Sequence, residues 1–148
     1  MKKVLIAYFS LTGNTEKMAE FIAEGVRFTG NQAETRKIST LKTVDDLNGY
    51  DGYIFGSPTY HLEMAEPFKT FLFLCSKADL AGKPAGAFGS YTHTGNAPAQ
   101  ILDTLQFVFK MQPFELGSLK MLDRDLINRE GLKACQDYGK VFGEKVGS

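Results

Sequence analysis

The sequence lacks tryptophan, an excess of charge of either sign, and any His and Cys cluster with metal-binding spacing. Lys and Arg together number 17, and Asp and Glu also number 17, so the formal net charge is zero. This balance disfavours nucleic acid as a partner, because phosphate backbones are bound by clustered positive charge. The two cysteines, Cys75 and Cys135, lie far apart in the sequence, and we expect two buried free thiols.

The chain also lacks a long apolar run. A membrane-spanning helix needs about 18 or more consecutive apolar residues, and the run near the start, Val4–Phe9, is far shorter. We therefore expect a cytoplasmic protein without a membrane partner. The length of 148 residues, of which 43% are hydrophobic, suits one domain that spans residues 1–148.

What the sequence does contain is a repeated alternation of strand and helix patterns. Lys3–Ser10 is apolar without polar alternation, which is typical of a strand covered on both faces. The other predicted strands are Glu34–Ile38, Tyr53–Gly56, Pro84–Ser90 and Leu116–Leu122. The predicted helices are Thr15–Phe28, Pro67–Cys75, Pro98–Met111 and Glu130–Val146. This alternation predicts an α/β fold with a parallel sheet, helices on both faces, and ligand sites at the carboxyl ends of the strands.

Two apolar clusters are expected in the core of this fold. They are Phe71–Leu74 and Phe107–Phe109, and Val108 is predicted to lie on the inward face of its helix. If some of these side chains faced outward, they would instead mark a dimer surface.

The segment between the first strand and the first helix, Ser10–Thr15, has the composition of an anion-binding loop, and we call it loop 1. Its hydroxyl groups, its glycine and the unpaired N–H groups of the following helix favour an anion. No Lys or Arg occurs from Val4 to Glu16, and the GxxxxGK(S/T) and GxGxxG patterns of nucleotide-binding folds are absent. The composition favours a single phosphate monoester. The alternative is that these residues only cap the helix.

Two further loops each contain a tyrosine, a histidine and small hydroxyl residues. Loop 2, Gly56–Met64, follows the third predicted strand, and loop 3, Gly89–Asn96, follows the fourth. Two aromatic loops beside a phosphate-binding loop suit a flat heterocycle with a phosphate tail. The alternative for each tyrosine is a half-buried position at a rim, and for each histidine a solvent-facing position without a role in binding.

The three loops resemble those of the flavodoxin family. SLTGNT at Ser10–Thr15 matches the family's phosphate-binding pattern, (S/T)-x-T-G-N-T, and GSPTY at Gly56–Tyr60 and GSYTHTGNA at Gly89–Ala97 are similar to the loops that hold the isoalloxazine ring. The resemblance covers essentially the whole chain, and the loops are most similar to flavodoxin modules of flavodiiron proteins and to flavodoxin-like reductases. The segment between Met111 and Glu130 is too short for the long insertion of some members, so the chain resembles the short-chain form.

The resemblance implies a flavodoxin-like three-layer sandwich with a five-stranded parallel sheet of order 2-1-3-4-5. It implies FMN as the cofactor, without a catalytic side chain or a metal ligand, because the flavin performs the redox chemistry. The implied cofactor-binding residues are Ser10, Leu11, Thr12, Gly13, Asn14, Thr15, Ser57, Pro58, Thr59, Tyr60, His61, Gly89, Ser90, Tyr91, Thr92, Gly95 and Asn96.

The function implied by the resemblance is electron transfer between redox partner proteins through bound FMN, by a monomer or weak homodimer. The identity of these partners stays open. The alternative is a small NAD(P)H-dependent or other donor-dependent FMN reductase that acts on quinones or similar acceptors. The neutral charge, the two histidines near the presumed ring and the reductase-like loops support this alternative.

The sequence also departs from the family pattern in three ways. Many members are strongly acidic, whereas this chain is neutral, so steering by net charge is weak; a local acidic patch around Glu63 and Glu66 stays open. Because tryptophan is absent, Tyr60 or His61 must cover one side of the ring, or that side faces solvent. Loop 2 contains no glycine after Gly56, so any later residue of the loop with a positive φ is strained.

Overall fold

The computed structural model describes residues 1–148. The strands are β1 (Lys3–Tyr8), β2 (Gln32–Lys37), β3 (Gly52–Gly56), β4 (Thr59–Tyr60), β5 (Glu63–Met64), β6 (Pro84–Tyr91) and β7 (Gln112–Leu122). The helices are α1 (Asn14–Phe28), α2 (Glu66–Cys75), α3 (Ala97–Asp103) and α4 (Arg129–Gly147). None of these helices combines the length and the apolar character needed to cross a membrane.

The main sheet contains five parallel strands in the order β2-β1-β3-β6-β7. When only the strands of this sheet are counted, the order is 2-1-3-4-5, and the predicted topology is confirmed. The central strands β1 and β3 are almost entirely buried, which explains why their sequences are apolar without polar alternation.

Helices cover both faces of the sheet and form two hydrophobic clusters. Leu5 and Ala7 of β1 pack with side chains of α2 and α3, whereas Val4 and Ile6 pack with side chains of α1 and α4. This division follows from the period of a strand, because successive side chains point to opposite faces of the sheet. The result is the three-layer sandwich that the sequence predicts.

Two glycines let α1 and α4 approach closely on their shared face. A Cβ atom built at Gly25 would lie 1.9 Å from the carbonyl oxygen of Gln136, and one at Gly139 would lie 1.9 Å from that of Ile22. Side chains at these two positions would push the helices apart, so glycine is a packing requirement here.

The predicted helix Pro98–Met111 is a regular α-helix only in its first half. After α3 the chain forms a wider π-helical turn, Thr104–Val108, in which the Phe109 N–H donates to the Thr104 carbonyl oxygen at 3.2 Å. The wider turn changes the rotation per residue. As a result Val108, which was expected on the inward face, is 65% exposed.

The expectation that both apolar clusters lie wholly in the core is also wrong. Phe71 and Leu72 are buried, but Phe73 is 77% exposed and Phe107 is 62% exposed. The reason is geometric: four consecutive residues of an α-helix point in directions that surround the helix axis, so they cannot share one buried face.

Two strands begin at least two residues earlier than predicted. The second strand begins at Gln32 instead of Glu34, and the fifth begins at Gln112 instead of Leu116. In the fifth strand, pairing with β6 skips from Pro113 to Ser118 across a bulge. This irregular pairing breaks the sequence pattern of a continuous strand.

Candidate cofactor-binding site

Loops 1, 2 and 3 lie side by side at one edge of the sheet. They follow β1, β3 and β6, which are neighbours in the sheet, and the parallel register pairs Tyr8 with Gly56 and Gly56 with Phe88. All three loops therefore leave the sheet at the same level, as expected for a ligand site at the carboxyl ends of parallel strands. The structure thus brings the three predicted segments together.

Loop 1 presents unpaired N–H groups at the start of α1. Gly13 has a φ of 92°, and its N–H donates to Ser10 Oγ at 3.0 Å. The first intrahelical bond runs from the Lys17 N–H to the Gly13 carbonyl oxygen at 3.0 Å, and no side chain caps the helix. The N–H groups of Asn14, Thr15 and Glu16 are consequently free to bind an anion.

A carboxylate lies near these N–H groups and is held by a tyrosine. The hydroxyl of Tyr8, a buried residue at the end of β1, donates to Glu16 Oε2 at 2.7 Å. Burial and the neighbouring Glu16 raise the pKa of Tyr8 well above its ordinary value. Because Tyr8 stays protonated, Glu16 retains a hydrogen-bond donor that fixes its carboxylate in the first turn of α1.

Each loop contributes one of the three buried Ser and Thr side chains of the chain, and these side chains fix the loops. The Thr15 and Ser90 hydroxyls lie 2.9 Å apart and connect loop 1 to loop 3. Ser57 Oγ donates to the Pro58 carbonyl oxygen at 2.9 Å and accepts the Ala65 N–H at 3.1 Å. Thr15, Ser57 and Ser90 therefore shape the site from inside.

Loops 2 and 3 also approach each other through their backbones. The Ser57 N–H donates to the Phe88 carbonyl oxygen at 3.1 Å. A Cβ atom built at Gly89 would lie 2.0 Å from the Ser57 carbonyl oxygen. Glycine is thus required at position 89 for this close contact.

Loop 2 forms a short hairpin that the sequence does not reveal. Strands β4 and β5 pair in an antiparallel manner, and the two residues between them, His61 and Leu62, have φ values of 50° and 69°. Each non-glycine residue in this left-handed backbone conformation costs about 1–2 kcal/mol of conformational energy. The sequence gives no signal for the turn, because such turns usually contain Asn or Gly. Tyr60, beside the turn, is 36% exposed.

Residues at the start of α3 hold this hairpin. The Ala97 N–H donates to Thr59 Oγ1 at 2.9 Å, and Asn96 Nδ2 donates to the Leu62 carbonyl oxygen at 3.2 Å. Gln100 bonds the hairpin as well, and sequence analysis missed it. Its position in the first turn of the helix that follows loop 3 was the one sequence feature that could have indicated this role.

The end of β7 adds charged residues to loop 3. Lys120 Nζ lies 5.9 Å from the centre of the half-buried Tyr91 ring, and Thr92 Oγ1 donates to Asp123 Oδ2 at 2.8 Å. Gly95 packs against Lys120 and Tyr91, since a Cβ atom there would lie within 3.0 Å of both side chains. Sequence analysis missed Lys120 and Asp123, although the end of a fifth parallel strand falls at the same sheet edge.

The acidic residues of loop 2 do not form a free acidic patch. Lys69 Nζ lies 2.7 Å from Glu63 Oε2 and 3.4 Å from Glu66 Oε1. The hydrogen bond that Lys69 donates to Glu63 is the main reason that the pKa of Lys69 is raised. Lys69 therefore offsets one of the two carboxylate charges of the acidic pair anticipated from the sequence.

An apolar cleft of about 510 Å³ lies beside loops 1 and 2. Its apolar walls are Phe9, Leu11, Tyr60, Met64, Ala65 and Pro67, and His61, Glu63 and Glu66 complete it. Uncharged N–H and hydroxyl donors fit a phosphate monoester, and adjacent aromatic and apolar surface fits a flat ring. This donor set fits the FMN expected from the sequence.

Comparisons with known proteins agree with this geometry. The family model described as "Flavodoxin domain" matches residues 5–120. The flavodoxin of Maridesulfovibrio salexigens is 33% identical over 84% of this chain and 88% of its own length. An NAD(P)H dehydrogenase (quinone) of Acidithiobacillus ferrooxidans is 30% identical over 94% of this chain and 82% of its own length. A solved flavodoxin from the domain Archaea is 27% identical, covers 99% of both chains and superposes with a TM-score of 0.90.

The matched family model covers most of the chain, including loops 1, 2 and 3. Sequence similarity, sheet order and the anion-binding start of α1 all point in the same direction, and the chain belongs to the flavodoxin family.

Proposed function

We propose that this chain holds FMN in loops 1, 2 and 3 and carries electrons between redox proteins. FMN is the cofactor of this flavodoxin, and electron transfer is its function. The observation that carries the residue-level proposal is the set of unpaired N–H groups at the start of α1, beside two tyrosine-bearing loops. Bound FMN supplies the redox chemistry, and the chain positions it.

In this proposal, loop 1 binds the phosphate group. The N–H groups of Asn14, Thr15 and Glu16 donate to phosphate oxygens, and the exposed Thr12 and half-buried Ser10 add hydroxyl donors. The positive end of the α1 dipole offsets the phosphate charge in the absence of a cationic side chain in the loop.

Loops 2 and 3 hold the ring in this proposal. Tyr60 and His61 lie on the loop 2 side, and Tyr91 lies on the loop 3 side, where Lys120 approaches the Tyr91 ring. The remaining proposed contacts of these loops are Ser57, Pro58, Thr59, Gly89, Ser90, Thr92, Gly95 and Asn96. The buried hydroxyls of Ser57 and Ser90 act by fixing the backbone, since both are bonded within the protein.

The proposal includes one FMN-binding domain over residues 1–148 that acts as a monomer or weak homodimer. It also includes a cytoplasmic location, which the two buried free thiols of Cys75 and Cys135 support. Burial raises the pKa of Cys135 to about 12, so this thiol stays protonated and takes no part in the redox chemistry.

The phosphate-binding role of loop 1 is tested by titrating the cofactor-free protein with FMN and with riboflavin, with flavin fluorescence as the measurement. FMN is expected to bind at least about tenfold more tightly, because only FMN carries the phosphate. Thr12→Ala is expected to weaken FMN binding and leave riboflavin binding unchanged. Thr94→Ala, an exposed threonine of loop 3 outside the proposed set, serves as the control. Equal affinities for FMN and riboflavin would refute a phosphate-binding role of loop 1.

The second candidate function is a quinone reductase, and one finding favours it. The Acidithiobacillus ferrooxidans relative, named NAD(P)H dehydrogenase (quinone), matches 94% of this chain at 30% identity. The two functions are separated by incubating the FMN-loaded protein with NAD(P)H and a soluble quinone, without another reductase. Steady NAD(P)H oxidation would establish the reductase. Oxidation only after addition of a reductase protein would establish the carrier.

A further inference from the structure

The tip of the loop 2 hairpin has a backbone conformation that its own sequence disfavours. His61 and Leu62 have φ values of 50° and 69°, and neither is glycine or asparagine, the residues that adopt such values most readily. Strands β4 and β5 contain two residues each, so their pairing alone is too short to impose the conformation. Other parts of the protein must hold the tip.

The side chain of Gln100 supplies the largest share of these contacts. Its Nε2 donates to the Leu62 carbonyl oxygen at 3.0 Å, and its Oε1 accepts the Met64 N–H at 3.1 Å. Both atoms of one amide thus bond the backbone on the two sides of Glu63. Asn96 adds a second donor to the same Leu62 oxygen. The Leu62 carbonyl oxygen is therefore fixed from two directions by the segment that begins α3.

We propose that Gln100 is a positioning residue that keeps the tip of loop 2 in its strained conformation, so that the affinity for FMN depends on it. The inference rests on the proposed FMN site. A protein that occupies its binding conformation only part of the time binds with a dissociation constant raised by the inverse of that fraction. Without Gln100, the Met64 N–H loses its partner, the Leu62 carbonyl oxygen keeps only the bond from Asn96, and the strain at His61 and Leu62 favours other conformations.

The first test replaces Gln100 and measures FMN binding by the cofactor-free protein. Gln100→Leu keeps the approximate volume and removes both hydrogen bonds, and we expect about tenfold weaker binding. Gln100→Glu keeps an acceptor for the Met64 N–H but turns a carboxylate oxygen toward the Leu62 carbonyl oxygen, so weaker binding is expected again. The control is Gln106→Leu, because Gln106 is half-buried in the π-helical turn and makes no side-chain hydrogen bond; its affinity should equal that of the wild type.

The second test asks whether removal of the strain rescues the variant. Leu62→Gly allows the positive φ without a steric cost. In the Gln100→Leu background it is expected to restore affinity to within about threefold of the wild type. A residue that acts only by contacting the cofactor, or only by stabilising the whole fold, would not be rescued in this way. Absence of rescue would overturn the proposal.

A third readout does not involve the cofactor. Amide hydrogen exchange of Met64 in the cofactor-free wild type is expected to be slow, and about tenfold faster exchange is expected in Gln100→Leu or, if that variant does not fold, in Gln100→Ala, which also removes the acceptor of the Met64 N–H. Amides of β1 should exchange equally in all variants. Fast exchange of Met64 in the wild type would overturn the proposal. Failure of the wild type to bind FMN would instead refute the proposed function, whereas equal binding by wild type and Gln100→Leu would refute this inference alone.

Discussion

The Thr15 and Ser90 hydroxyls depend on each other for hydrogen bonding. They lie 2.9 Å apart, the residues are 1% and 3% exposed, and neither hydroxyl has another partner in the chain. A buried hydroxyl without a partner is costly, whereas a pair removed together is not. Separation of loop 1 from loop 3 would break this bond, so the fold is most stable when the two loops stay in contact.

Removal of either hydroxyl alone is expected to lower the free energy of unfolding by more than half of what removal of both does. Thr15→Val should lower the free energy of unfolding by about 1–3 kcal/mol, because it leaves Ser90 unpaired in the interior. Ser90→Ala should act similarly, and the double variant should lose less than the sum of the two. Urea denaturation of the cofactor-free protein measures these differences, with Thr94→Val as the exposed control. Strict additivity would contradict a mutual hydrogen bond.

A second residue pair links stability to pH at the edge of the sheet. The Tyr50 hydroxyl donates to Glu34 Oε2 at 2.6 Å, and this bond is the largest cause of the lowered pKa of Glu34, whose ordinary value is 4.5. Burial, followed by the bond to Glu34, raises the pKa of Tyr50 above its ordinary value of 10.0. A lowered carboxyl pKa stabilises the fold above the unfolded value, and a raised tyrosine pKa does so below the unfolded value.

Tyr50→Phe should consequently be less stable than the wild type mainly between about pH 4.5 and pH 10. We expect a difference on the order of 0.5–1 kcal/mol, because the carboxylate is partly exposed and solvent screens the interaction. The difference should shrink as the pH falls through the lowered pKa of Glu34. Urea denaturation of both proteins at pH 3 and at pH 7 checks this. A difference that is as large at pH 3 as at pH 7 would show that the charge of Glu34 is not involved.

Among the elements, those with a clear period were predictable and those set by local irregularity were not. The apolar stripe of α1 and the apolar run of β1 predicted the ends of these two elements to within two residues of the observed ends. The hairpin of loop 2 escaped prediction because its turn, His61–Leu62, lacks Gly and Asn. The π-helical turn Thr104–Val108 escaped because its sequence continues a helical pattern.

Within the candidate site, the sequence predicted the three loops but not the residues that reach them from other elements. Alternation of strands and helices places loops 1, 2 and 3 at one sheet edge, and this needs no tertiary detail. Gln100 and Lys120 reach the loops from α3 and β7, and their roles depend on packing that local patterns do not encode. The same applies to Ser90, whose hydroxyl points to Thr15 within the protein.

The bulge in β7 depends on one buried tyrosine of α4. The Tyr138 hydroxyl accepts the Ala87 N–H at 3.0 Å and lies 2.6 Å from the Gly117 carbonyl oxygen, to which it donates. Burial raises the pKa of Tyr138, so it remains a donor at physiological pH. The hydroxyl thus replaces the pairing that β6 and β7 lose at the bulge.

Tyr138→Phe is expected to lower the free energy of unfolding by about 2–3 kcal/mol. It leaves the buried Ala87 N–H and the partly buried Gly117 carbonyl oxygen without this partner, at a cost of about 1–3 kcal/mol for a fully buried group and less for the other, while the ring still packs against Phe114. Urea denaturation measures the loss. Tyr60→Phe is the matched control, because the Tyr60 hydroxyl makes no hydrogen bond within the chain and its loss should change stability by less than about 0.5 kcal/mol. Equal losses in the two variants would contradict the role assigned to Tyr138.

Considered as a whole molecule, the protein offers partners a face of low net charge around its cofactor loops. The net charge is zero, and Lys69 offsets one of the two negative charges of Glu63 and Glu66. Leu11 and Leu62 are 68% and 59% exposed on loops 1 and 2. Long-range attraction of a charged partner is therefore weak, and contact depends on apolar surface near the cofactor.

The rate of electron transfer to a basic acceptor protein, such as cytochrome c, should accordingly depend little on salt. Between about 10 mM and about 500 mM ionic strength, we expect the second-order rate constant of the reduced, FMN-loaded protein to change by less than about twofold. Lys69→Gln should alter this, because it exposes the charges of Glu63 and Glu66 beside the cofactor loops. Stopped-flow measurement should then show a faster reaction at low salt and a steeper decrease as salt is added.

Lys145→Gln separates a local effect from an effect of net charge. Lys145 is exposed in the last turn of α4, where the neighbouring Val146 lies against Gly52 at the start of β3, so it belongs to the sheet edge opposite the loops, and its loss changes the net charge by the same amount as the loss of Lys69. If the charges beside the cofactor site govern docking, Lys145→Gln should behave like the wild type, since interactions between distant exposed charges are screened. An equal salt dependence in both variants would show that net charge governs docking instead. A tenfold decrease in rate for the wild type would contradict the low net charge of the docking face itself.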